Sequence, residues 1–240
     1  MLISVIITCH NENNLVKNAF DSVSQSIANS KLIFKKDIDI NIYADSPNEG
    51  TLKSIMALPN VTIVDYGDVS QVRNLAATSS KGEFISFIDA DDLMGISFIK
   101  EFIENKFFEL GGIWHPEYIC KFDADQNLLI SQQQSSTDSS FNMYTLLYRN
   151  LWTINSIAER KIYDEIKFKP GKTSNSNARF AYEDWSWNMD VLAAGYQHHI
   201  IKNTYFFIRE RLNSNSYLSK LYGFKPHESE LFMKKRNNVV

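Results

Sequence analysis

The chain is poor in the features that most quickly assign a role. It has two cysteines in 240 residues, Cys9 and Cys120, far apart and each in an apolar, strand-like setting. They read as buried free thiols of a reducing compartment, and no Cys/His spacing suits zinc. Lysine and arginine number 25 against 28 acidic residues, a formal net charge of −3. That balance argues against a general nucleic-acid partner. No apolar stretch approaches the roughly 20 residues that span a bilayer, and Met1–Thr8 carries no basic leader. The expectation is a soluble, cytoplasmic protein. Lys234-Lys235-Arg236, after Glu230-Leu231-Phe232-Met233, is either a solvated terminus or a peripheral contact with an anionic membrane. There is no internal repeat, and Ser131–Ser140 is the one low-complexity stretch, expected to be an exposed loop.

What is present is an alternation. With 44% hydrophobic residues the chain can bury a sizeable α/β core. Leu2–Thr8 reads as a buried strand, followed by a helix that places Leu15, Val16, Ala19, Phe20, Val23 and Ile27 on one face. Strands are expected at Ile38–Tyr43 and Val61–Tyr66, with helices at Thr51–Leu58, Val69–Ser79 and Ser97–Leu110. Such alternation implies a mostly parallel sheet covered on both sides by helices. Later the pattern becomes mixed. Strands are expected at Gly112–Phe122, Leu128–Ile130, about Trp152–Ile157 and His198–Ile208. Helices are expected at Asn142–Arg149, Arg160–Ile166 and Tyr182–Ala194, and Lys169–Arg179 reads as a lid. Residues 1–125 are expected to form one half of the domain and 126–240 the other.

The stretch with the most chemistry is Phe84-Ile85-Ser86-Phe87-Ile88-Asp89-Ala90-Asp91-Asp92, a buried strand ending in three carboxylates. Ligands in open α/β sheets lie beyond the carboxyl ends of strands. Packed carboxylates repel one another unless a cation neutralises them, and their hard oxygens suit Mg²⁺ or Mn²⁺. The plainer reading is a solvated turn with Asp92 capping the next helix. An EF-hand is excluded, because the sixth position from Asp89 is Met94 and the twelfth Lys100. The second Asp-x-Asp, Asp123-Ala124-Asp125, reads as a hairpin turn. His115, His198 and His199 read as structural with a second reading as members of a metal site, and Trp185 and Trp187 as core residues with a second reading as sugar-stacking platforms.

The surrounding residues resemble glycosyltransferase family 2, the inverting nucleotide-sugar enzymes of the GT-A (Rossmann-like) fold. The resemblance is carried by Ile3–Glu12, by Val72-Arg73-Asn74-Leu75-Ala76, and by Lys81-Gly82-Glu83 leading into Phe84–Asp92. It continues in Tyr182-Glu183-Asp184-Trp185 and, loosely, in Phe207-Ile208-Arg209 with Asn213-Ser214 and Ser216. It implies a transferase of hexosyl or N-acetylhexosaminyl type with a nucleotide-sugar donor, a UDP-sugar by default. The acceptor would be a glycan or a lipid-linked molecule of surface polysaccharide synthesis. The donor half would be 1–125, and the smaller mixed half would bind the acceptor. Asp91 would be the main ligand of Mn²⁺ or Mg²⁺, Asp89 would position ribose or metal, and Asp92 would ligate or orient. Thr8, His10, Glu12, Arg73 and Ala90 would line the donor site. Asp184, with Glu183 beside it, would deprotonate the acceptor; helix capping is the plainer account of that pair. One departure stands out. Where the family has an Asp pair after the second strand, this chain has Ala44-Asp45, so either Asp45 would take over recognition of the base or the base would be read differently. A nucleotidyltransferase is the nearest rival, but His10-Asn11-Glu12-Asn13 is not its Gly-rich basic loop. A catalytically idle nucleotide-sugar-binding or scaffold protein is the other.

Overall fold

The computed structural model describes residues 2–30, 38–122, 128–171, 180–211, 219 and 221–237. Strands β1 (Ile3–Cys9), β2 (Ile38–Asp45), β3 (Val61–Val64) and β4 (Phe84–Asp89) lie in the order β3-β2-β1-β4, all parallel. Helices α1 (Leu15–Ser30), α2 (Glu49–Ile55) and α3 (Val69–Ser79) connect them. The four strands are the expected ones, and β1 is buried along its whole length, as a central strand of a parallel sheet must be.

The sheet continues from β4 into the second half of the chain. Among the described residues it has nine strands, running on through β8 (Ile157–Glu159), β6 (Ile113–Phe122), β9 (His198–Arg209) and β5 (Leu93–Met94), with β7 (Leu128–Gln132) paired to β6. Here the pairing is mixed: β6 and β9 are parallel, while β4–β8, β6–β8, β6–β7 and β5–β9 are antiparallel. Helices α4 (Phe98–Glu104), α5 (Arg160–Glu165), α6 (Glu183–Ala193) and α7 (Glu230–Asn237) complete the described elements. Two apolar clusters flank the sheet. One joins α1 and α4 to β1, and the other packs Phe87, Tyr163, Phe168 and Trp187 edge-on and stacked.

Several expected boundaries shift for local reasons. Helix α2 begins at Glu49 because Asn48 caps it, accepting from the Thr51 N–H at 2.8 Å. The expected helix Ser97–Leu110 breaks at Lys106, whose φ of 53° lies in the left-handed region, and resumes as a short 3-10 turn, Phe107–Glu109. Trp152–Ser156 is buried but not a strand: the Trp152 and Thr153 N–H groups donate to the side chains of Asn150 and Gln133 rather than to a ladder. The Ser/Gln stretch is not the fully exposed loop expected of it. Gln133 and Ser135 are buried, and Ser136 N–H and Ser135 Oγ both donate to the His198 carbonyl. The Asp123-Ala124-Asp125 turn, the 172–179 part of the lid and the Asn213, Ser214 and Ser216 part of the late motif lie outside the described residues.

The C-terminal segment is docked through Phe232, which is fully buried against the α6 side of the fold. No helix among the described residues is long and apolar enough to cross a membrane. Gly95 is required by close approach: a Cβ there would fall 2.1 Å from the Tyr205 carbonyl oxygen, whose hydrogen-bond donor is Gly95 itself. Gly95→Ala is expected to cost about 1–3 kcal/mol of stability, the usual penalty of overpacking, read from the midpoint of urea unfolding.

Candidate active site

Arg73 is the hub of the site. Helix α3 starts at the cap Asp68 and buries Ser70, Val72, Arg73, Ala76 and Ala77 against the sheet, which drives a guanidinium into the core. A buried charge must be paired. Arg73 pairs with Asp89 at the end of β4, Nη2 to Oδ1 at 2.7 Å, and with Glu183 at the start of α6 through Nη1. Burial alone would favour its neutral form; the two carboxylates more than offset this and keep it charged. Thr8 Oγ1, at the end of β1, donates to the same Asp89 oxygen at 2.9 Å. Residues from both halves of the chain, 110 positions apart for Arg73 and Glu183, thus meet on one side chain.

The three carboxylates after β4 have different surroundings. Asp89 is 40% exposed and faces Arg73 and Thr8. Asp91 contacts Arg211, Nη2 to Oδ2 at 2.6 Å, and Arg211 also lies 3.6 Å from Glu12. Burial first, then repulsion from Asp89, pushes the Asp91 carboxyl up to about 6, although Arg211 opposes the shift. Asp92 is 4% exposed; its oxygens accept from Arg209 N–H at 3.0 Å and Asn155 Nδ2 at 3.4 Å. Burial, followed by Asp89 and Asp91, holds it well above the usual carboxylate range. Asp92 thereby ties the turn after β4 to the end of β9. Among the described residues no group of three or more His, Cys, Asp or Glu side chains is placed to hold a metal. Asp89 and Asp91 each give one oxygen to an arginine and keep a second, and hard divalent ions are commonly held by one or two carboxylates plus substrate phosphates.

Asp184 lies one position beyond the Arg73 pair. Its Oδ1 accepts from the Trp185 N–H at 2.8 Å and its Oδ2 from Asn150 Nδ2 at 2.9 Å. Burial first, then repulsion from Glu183, pushes its carboxyl up to about 7, with Arg73 acting against the shift. An acid with that affinity for protons is suited to general-base work at neutral pH. Tyr182, just before the pair, has φ 60° and ψ 50°, a left-handed backbone that a bulky residue adopts only at some cost.

The first loop holds the second. His10 Nδ1 contacts the Asp45 carbonyl, Asn11 Oδ1 accepts from Asn48 N–H at 3.0 Å, and Asn13 N–H donates to Thr51 Oγ1 at 2.9 Å. Glu12 accepts from the His10 N–H and faces Arg211. Asp45 sits at the end of β2 and is 7% exposed; it accepts from the N–H groups of Tyr66, Gly67 and Asp68. That carboxylate organises the turn into α3. Ala90 is buried, its N–H bonded to the Thr8 carbonyl.

His115 and His198 are buried and hydrogen-bonded to each other at 2.9 Å, with Trp152 stacked on His198, as a structural reading requires. Trp187 is core, stacked on Tyr163 and Phe168, while Trp185 is partly buried and donates to the Leu146 carbonyl. A cavity of about 500 Å³, lined by Trp114, Gln133, Ser135, Asp138, His199 and Lys202 among others, opens at the beginnings of β6 and β9. It holds none of the site carboxylates.

Arg211, Asn150 and Asn188 are site residues that the sequence alone did not single out.

The mostly parallel sheet flanked by helices, continued by a mixed half, has the architecture of the GT-A fold. Residues 4–111 match the model of Glycosyl transferase family 2. No curated protein matches the sequence. Among solved structures, S. aureus TarS 1–349 in complex with UDP-GlcNAc superposes with a TM-score of 0.62 at 16% identity, covering 89% of this chain and 60% of that one. S. aureus TarS 1–349 in complex with UDP gives 0.61 at 15% identity, covering 93% and 72%. A longer S. aureus TarS structure gives 0.62 at 14%, covering 94% and 44%. At such identities the likeness is one of fold, and this chain spans 60% of S. aureus TarS 1–349, both alone and in complex with UDP-GlcNAc.

Proposed function

We propose that the protein transfers a sugar from a nucleotide-diphosphate donor, a UDP-sugar, to a glycan or lipid-linked acceptor in surface polysaccharide synthesis, with inversion at the anomeric carbon. The observation that carries this reading is the Arg73 junction. One buried guanidinium joins the acidic end of β4, where ligands of parallel sheets bind, to the acid pair that opens α6. UDP and UDP-GlcNAc in the TarS structures support the choice of donor.

The division of labour follows from the two environments. The β4 side, with residues 1–125, would hold the donor: Thr8 and Asp89 beside the ribose or metal, Arg73 and Arg211 near the diphosphate, and Asp45 with the first loop near the base. Asp91 and Asp89 would hold Mn²⁺ or Mg²⁺, which when bound supplies a Lewis acid for the departing diphosphate's charge. Residues 126–240 would seat the acceptor. Asp184 takes the acceptor hydroxyl's proton as that oxygen attacks the anomeric carbon and the carbon–phosphate oxygen bond breaks, releasing the nucleoside diphosphate. Burial and Glu183 make it basic enough at neutral pH. A peripheral membrane contact at exposed Lys234 is compatible with a lipid-linked acceptor.

The test is a thermal-shift panel of nucleoside diphosphates and nucleotide sugars with and without Mn²⁺. A ligand at about a hundred times its dissociation constant adds roughly 2.7 kcal/mol, so UDP or a UDP-sugar should raise the Tm visibly. Asp91→Asn is expected to abolish the part of that shift that needs Mn²⁺. Silence toward every nucleotide would favour the idle scaffold, and full Mn²⁺ dependence in Asp91→Asn would remove the metal assignment.

A further inference from the structure

Asp184 is held by a relay of amides whose direction is set in the core. Asn150, in the loop after the 3-10 turn Met143–Leu147, donates Nδ2 to Asp184 Oδ2 at 2.9 Å. An amide side chain can face either way, so its orientation needs a cause. Asn150 Oδ1 accepts from Asn188 Nδ2 at 3.1 Å, and that same Nδ2 donates to the Trp152 carbonyl at 3.0 Å. A backbone carbonyl only accepts. Asn188 must therefore present its NH₂ group, both hydrogens of which are then committed. Asn150 must answer with its oxygen, which leaves its own NH₂ facing the carboxylate.

The anchor is firm. Asn188 is 2% exposed on α6, and Trp152 is 1% exposed and stacked on His198 at 3.8 Å.

We propose that Asn150 is a positioning residue of the transfer reaction: oriented by Asn188, it fixes the plane of the Asp184 carboxylate and favours its ionised, proton-accepting form. This rests on Asp184 being the base. The titratable and charged groups that face Asp184 are Glu183 on its own helix, Arg73 from α3, Asp89 from β4 and the phenol of Tyr182. The two carboxylates favour the protonated acid and Arg73 favours the anion. An N–H aimed at the carboxylate also favours the anion, and it fixes which lone pairs remain for the acceptor proton.

The experiment follows nucleoside-diphosphate release from a UDP-sugar with acceptor, across pH, in the native protein, Asn150→Ala, Asn150→Ser, Asn188→Ala and Asp184→Asn. A hydrogen bond to a charged group is lost in Asn150→Ala, so kcat should fall about 10- to 100-fold with donor KM little changed. The ascending limb of its pH profile should move up by about one unit. Asn150→Ser, which keeps a donor, should recover part of both effects. Asn188→Ala, which leaves the Asn150 oxygen only the longer contact from the Trp152 N–H at 3.5 Å, should shift the limb in the same direction by a smaller amount and serves if Asn150→Ala does not fold. Loss of transfer in Asp184→Asn together with an unshifted limb and native kcat in Asn150→Ala overturns the inference alone. Normal transfer in Asp184→Asn overturns the reading on which it stands.

Discussion

Asp184→Asn is expected to lower the rate of transfer by about 10²- to 10⁴-fold, the usual worth of a general base, while the donor still binds. The amide cannot take the acceptor proton, yet it nearly preserves shape, and Glu183 and Arg73 keep their pair. In the native protein the rate should rise with pH along a limb centred near 7, because the carboxyl must be ionised to act. The same substitution should also leave a mark on stability. The carboxyl's folded-state affinity for protons is raised, so its contribution to stability is fully present below its ordinary carboxylate range and is lost as pH rises through about 7. Asp184→Asn escapes that loss. Its Tm relative to the native protein should therefore climb between pH 5 and pH 8, by about 2–4 °C for each kcal/mol removed. A difference that is flat with pH would mean that the carboxylate is not strained as described.

Arg73→Ala is expected to be the most damaging single change to the fold of the site. It leaves Asp89 and Glu183 facing each other without a cation and opens a hole beside Phe168, whose ring lies 5.9 Å from the guanidinium carbon. Removing one partner of a buried ion pair costs about 3–5 kcal/mol, so the Tm should fall by roughly 10 °C. Donor binding should weaken as well, since Asp89 loses its orientation. Arg73→Lys keeps the charge but not the fork that reaches two carboxylates at once, and should recover only part of the loss. Calorimetric unfolding of the three proteins checks the order. A native Tm in Arg73→Ala would show that the junction does not hold the two halves of the site together.

Much of this was legible from the sequence. The parallel half, β1 to β4 with its helices, could be read because apolar runs, helical spacing and stops such as Lys81-Gly82 agree with one another. Asp89, Asp91, Glu183, Asp184 and Arg73 were legible as a resemblance, since each stands in a local motif. What local pattern does not encode is which partner a side chain chooses. Asp92 sits in the same acidic run as Asp91, yet it is buried on Arg209 N–H and Asn155, and nothing within four residues announces that. Asp45 looked available for the base, while its carboxylate serves three N–H groups 21 to 23 positions later. Asn150 and Asn188 are 38 positions apart, and only the packed Trp152 loop makes their amides meet. The apolar run Trp152–Ile157 misled for a related reason: only Ile157 joins a strand, while the Trp152 and Thr153 N–H groups donate to side chains.

The central claim is a division of labour, with donor held at the end of β4 and the acceptor proton taken at the start of α6. The most direct measurement is titration calorimetry of UDP with Mn²⁺ into the native protein, Asp91→Asn and Asp184→Asn at pH 8. The expected result is native-like affinity in Asp184→Asn and at least about tenfold weaker binding in Asp91→Asn, a difference of roughly 1.4 kcal/mol. Equal weakening in both variants, or none in Asp91→Asn, would contradict it.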